Sequence, residues 1–110
     1  MPENIKGNTI TSDLLKRAFP LGPTRDEYFA SLIIIAPFFS VRGLASMIEV
    51  AFNKDYIDAL QDSYIANARD IPLSEESFSR VFERLKASGY EEWAKTMEEE
   101  NGFQSRDGSV

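Results

Sequence analysis

The sequence predicts an all-α protein, a single compact bundle of five to six short helices. Three observations carry that prediction. Helix-start chemistry recurs along the chain, a hydroxyl or carboxylate side chain standing just before every periodic apolar segment but the last. Apolar residues return at spacings of three and four, most cleanly at Phe78, Val81, Phe82 and Leu85. No segment alternates polar and apolar residues long enough to read as a strand. With 110 residues, 43% of them hydrophobic, the chain suits one domain with a real core and needs no disulfide or metal to hold it. The domain is expected to span 1–100. The remainder, 101–110, reads as a flexible tail, because one phenylalanine among polar and glycine residues cannot offset the entropy of ordering them.

Each element has its own start and stop. Thr11 or Ser12 is the expected cap of DLLKRAF, which ends at Pro20, and PLGP then makes a turn. In TRDEYFASLIII, Thr24 and Glu27 form a capping box, each side chain meeting an orphan amide of the first turn. Tyr28, Phe29, Leu32, Ile33 and Ile35 or Ala36 follow at helical spacing. The isoleucine triplet favours a strand locally, yet an apolar last turn all round suits a helix covered by others. Pro37 closes it. The apolar run from Leu32 to Phe39 is far short of the roughly 20 residues that cross a bilayer.

Ser40 is expected to cap VRGLASMIEVAF, with a stripe of Val41, Leu44, Ala45, Ile48 and Phe52. Asp55 or Asn53 caps YIDALQDSYIANA, with Ile57, Leu60, Gln61, Tyr64, Ile65 and Ala68 as the expected inner face. Ser74 caps EESFSRVFERLKAS, which Gly89 ends. The last helix, EEWAKTMEEE, presents Tyr90, Trp93, Ala94 and Met97 inward.

FPLGPTRDEYFASLIII, taken with DIPLSEESFSRVFERLKASGY, resembles a small all-helical family of unknown function common in mycobacteria. The matching positions are Phe19, Pro20, Gly22, Pro23, Asp26 and Tyr28, then Pro72, Arg80, Val81, Arg84, Leu85, Gly89 and Tyr90, within residues 14–90. A helical bundle is what the resemblance implies. It supplies no active site.

Absent residue types narrow the chemistry. Without histidine or cysteine, the chain has no Ser-His-Asp or Cys-His nucleophile system, no histidine base and no Cys/His zinc site of its own. Its glycines stand singly and form no phosphate-cradling motif, so no nucleotide cofactor is expected. DYIDALQDSY spaces its acids like part of a calcium loop but lacks the turn glycine. No cofactor and no metal are expected. A carboxylate-only enzyme stays open as a third reading, since folding can bring any two acids together.

Charge is distributed unevenly. Residues 1–52 carry five basic and five acidic side chains, so the whole net charge of −6 falls within 53–110. Asp55, Asp58 and Asp62 lie on one arc of the fourth helix, and Tyr56 beside them is a candidate aromatic anchor. Glu98, Glu99 and Glu100 end the last helix, where carboxylates oppose the macrodipole. Such acids either solubilise an ordinary helix end or await a cationic protein partner, whose approach they would steer. They would repel phosphates, so the helix, turn and helix spacing around residues 41–69 does not read as a nucleic-acid unit.

MPENIKGNTI is no secretory signal, and a cytoplasmic location is expected. In size and charge, not by any motif, the chain is similar to the immunity proteins of contact-dependent growth inhibition systems, which neutralise cationic toxins. The expected function is therefore inhibition of a basic toxin domain through Asp55, Tyr56, Asp58, Asp62, Glu98 and Glu99. A helical adaptor or regulatory domain is the alternative.

Overall fold

The computed structural model describes residues 5–101. Six helices follow one another: α1 (Ile5–Ala18), α2 (Arg25–Ile35), α3 (Val41–Phe52), α4 (Tyr56–Ala68), α5 (Glu75–Ala87) and α6 (Tyr90–Asn101), with a single 3-10 turn, Ala36–Phe38, between α2 and α3. No strand occurs among the described residues. The tail expected over 101–110 lies outside them, apart from Asn101, which closes α6.

The isoleucine triplet belongs to a helix. Thr24 accepts from the Glu27 amide at 3.2 Å while the Glu27 carboxylate accepts from the Thr24 amide at 2.8 Å. This reciprocal cap fixes where α2 begins. Residues Tyr28 to Ile33, and Ile35, are all buried, and Ile34 is half-buried against the core, so the strand propensity of the isoleucines is overridden by packing. Pro37 enters the 3-10 turn, and Ser40 starts α3 by accepting from the Gly43 amide at 2.9 Å.

α1 begins about two turns earlier than its sequence suggests. Thr11 and Ser12 are interior residues of that helix, both buried, and neither is its cap. The reason is chemical: this helix buries Asn8, Thr11 and Ser12 in line with Leu14, Leu15 and Ala18, and polar members hide an inward stripe. Thr11 satisfies its own hydroxyl by donating to the Gly7 carbonyl at 2.6 Å. It also accepts from the Trp93 indole at 2.8 Å, which ties α1 to α6.

α3 packs extensively on both α4 and α1, and α2 packs on α5 and α4. The connection between α3 and α4 is short because Asn53 takes a left-handed conformation (φ 54°) and Asp55 caps α4 by accepting from the Ile57 amide at 3.1 Å. Gly89, at φ +108°, makes the sharp link from α5 to α6 that only glycine adopts without strain. Arg84 donates from Nε to the Ala18 carbonyl at 2.6 Å, supplying a cation to the C-terminal end of α1. Arg17 does the same for the Ser88 carbonyl at 2.9 Å.

Candidate functional site

The orientation of α4 decides what the acidic residues do. Its buried residues are Ala59, Ser63 and Ala66, spaced by four and three so that small side chains line one seam. Ser63 Oγ donates to the Val41 carbonyl at 2.7 Å, which small residues at the seam make possible by letting the two backbones approach. The expected inner face is thereby corrected at four positions: Ile57, Gln61, Tyr64 and Ala68 are exposed, whereas Leu60 and Ile65 are half-buried and pack against the core as expected. Large apolar residues were expected inside because their area dominates any hydrophobic pattern. Close backbone packing selects small ones instead.

That rotation separates the predicted site residues. Asp58 is exposed and enters none of the ion pairs among the described residues. Asp55 is exposed, but one carboxylate oxygen is committed to the cap. Tyr56 is half-buried and packs against the core, so only part of its ring faces solvent. Asp62 faces inward, with only 15% of its side chain accessible. Glu98 and Glu99 are exposed on the last turn of α6, which packs on α1, α5 and the 3-10 turn rather than alongside α4. The acids therefore do not form one continuous face.

Asp62 instead closes a polar triad. Its Oδ2 accepts from the Tyr28 hydroxyl at 2.5 Å and from Lys54 Nζ at 2.7 Å, and Lys54 lies 4.7 Å from the centre of the Tyr28 ring. Three elements meet there: α2, the α3–α4 connection and α4. Burial pushes the Tyr28 phenol far above its ordinary value, and the hydrogen bond and negative charge of Asp62 add to the effect. Tyr90 is raised as well, by burial first and then by the charge of Glu98. The Tyr28 hydroxyl thus stays a donor over the whole physiological range, fixed on a carboxylate.

Beside the triad opens a cleft of about 400 Å³, walled by Tyr28, Phe29 and Phe52 and edged by Pro23, Arg25 and Lys54. A second groove, of about 550 Å³, runs between α1 and the start of α6 past Asp13, Arg17, Glu92 and Trp93. No group of three potential metal-ligating acids occurs among the described residues. Nor is any described helix long and apolar enough to cross a membrane.

Two features escaped the sequence reading. The exposure of Ile57 and Tyr64, at 67% and 59%, follows from the small-residue seam, and the spacing of Ala59, Ser63 and Ala66 was its only sequence signal. The triad joins residues 34 apart in the chain, and no local pattern announces it. Compared with protein-family models, curated proteins and solved structures, the chain matches none.

Proposed function

We propose that this protein is a non-catalytic binding protein that inhibits a basic protein domain, in the manner of an immunity protein acting on a cationic toxin, and that the outer face of α4 makes the contact. The observation that carries the reading is the pairing on that face of two large solvent-facing side chains, Ile57 and Tyr64, with the carboxylate of Asp58, which enters no ion pair among the described residues. Such a patch has the make-up of an interface centre, in which an apolar and aromatic anchor is flanked by charge. Its sign matches a cationic partner, and the net charge of −6 adds long-range attraction. Glu98 and Glu99 on α6 contribute to steering rather than to the same contact. Asp62 has no part in it, because its carboxylate is occupied by Lys54 and Tyr28.

The test begins with isolation of the partner from the native host and continues with the purified pair. Tyr64→Ala should speed dissociation and weaken binding by about tenfold or more, the scale of an interface anchor. Asp58→Lys should chiefly slow association, and added salt should reproduce that slowing in the wild type. Both variants should keep native helicity, since both side chains face solvent. Unchanged affinity in both variants, or a partner with no cationic surface, would refute the reading.

A further inference from the structure

We propose that the cleft at the N-terminal end of α2 is a binding site for a small organic acid, a carboxylate carried on a flat apolar body. The proposal stands apart from the outer face of α4 and from any protein partner.

The walls set the apolar half of the ligand. Tyr28 meets Phe29 and Phe52 edge to face, with ring centres 5.0 and 5.1 Å apart. This aromatic corner lines the cleft of about 400 Å³. That volume is near the lower end of the range for small-molecule sites. It suits a ligand of one or two fused rings.

The edges set the charged half. Arg25 stands 5.3 Å from the centre of the Phe29 ring and Lys54 4.7 Å from that of Tyr28, so each cation of the lining sits over an aromatic wall. Arg25 has no ion pair or hydrogen bond through its side chain among the described residues. Its planar fork of donors is free for a carboxylate, which it matches in a two-point contact. Lys54 gives one hydrogen to Asp62 at 2.7 Å and a long contact of 3.4 Å to the Tyr28 oxygen. One ammonium hydrogen remains.

Charge balance points the same way. Arg25 and Lys54 against Asp62 leave the lining one charge positive, within a chain whose net charge is −6. The neighbouring carboxylate of Glu27 is turned to the Thr24 amide and to Arg84, 3.9 Å away, and so does not neutralise Arg25. Asp62 acts as the positioning residue: by holding Lys54 over Tyr28 it keeps the ammonium in the lining of the cleft. The cleft therefore combines an aromatic interior with a local cationic edge on an otherwise acidic protein. A neutral ring system would leave the Arg25 donors unused, and a bare anion would leave the walls empty.

The experiment is a titration of the isotopically labelled full chain with 2-naphthoate, followed through backbone amide shifts. Saturable shifts are expected at Arg25, Phe29, Phe52 and Lys54. The neutral analogue 2-naphthamide should bind about tenfold more weakly, as should 2-naphthoate to Arg25→Gln, whose exposed side chain can be replaced without disturbing the fold. Inorganic phosphate, an anion without an apolar body, should be weaker still. Absent shifts at saturating naphthoate, shifts centred elsewhere, or equal binding by the amide, by phosphate or by Arg25→Gln would overturn the proposal.

Discussion

Replacing Thr11 by valine tests the polar link that joins the first and last helices. Thr11 is fully buried and Trp93 is 4% exposed. The indole Nε1 donates to Thr11 Oγ1 at 2.8 Å, and valine keeps nearly the same shape while removing the acceptor. The Gly7 carbonyl, which loses the Thr11 hydroxyl as a donor, retains its ordinary helix bond and so loses little. The cost is then mainly that of a buried indole N–H left without a partner, about 1–3 kcal/mol. For a urea dependence of about 2 kcal/mol per molar, a loss of about 2 kcal/mol lowers the unfolding midpoint by about 1 M. Far-ultraviolet circular dichroism reads the midpoint. Trp93, the only tryptophan in the chain, gives a second probe by its fluorescence. The decisive comparison is made in a Trp93→Phe background, where no indole donor exists and Thr11→Val should be close to neutral. An equal loss in both backgrounds would refute the hydrogen-bond explanation and leave only packing. No loss in either would mean that the indole reaches water.

Two further outcomes follow from burial and titration. Leu85→Ala should cost about 2–5 kcal/mol, because Leu85 is fully buried. Phe82→Ala should cost clearly less despite its larger ring, since Phe82 is half-exposed and leans on Tyr90 and Lys86; urea midpoints in the opposite order would show that α5 is rotated. The raised Tyr28 phenol contributes stability that is complete below the unfolded tyrosine value of about 10 and declines above it, because only the unfolded chain releases that proton readily. Stability measured at alkaline pH should therefore fall less steeply in Tyr28→Phe, and an identical slope would count against the triad.

Much of the fold was legible because helix ends are written locally. Thr24 with Glu27, Ser40, Asp55 and Ser74 all act as the caps that their residue types suggest. Gly89 ends the fifth helix as a positive-φ residue should. Failures came where burial was assigned by residue size or polarity alone. The hydroxyls of Thr11 and Ser12 looked like cap chemistry but are buried within α1, and Ala59, Ser63 and Ala66 looked incidental but form a helix seam. The site suffered most from the second error, because a rotated α4 carries Asp62 inward and Ile57 and Tyr64 outward. Asp62 could not have been placed from its own helix, since its partners Tyr28 and Lys54 come from elsewhere in the chain.

The seam also divides α4 between two kinds of inheritance. At Ala59, Ser63 and Ala66 any larger side chain would press α4 away from the elements packed on it, so change there is paid for by the whole domain. At Ile57, Asp58, Gln61 and Tyr64 the side chains stand in solvent, and substitution costs the fold little. Descendants of this chain could therefore diverge rapidly along one side of a single helix while the other side stays almost fixed. A lineage that had to track a changing partner would find the raw material for new specificities on that free side, with no need to reinvent the bundle that carries it.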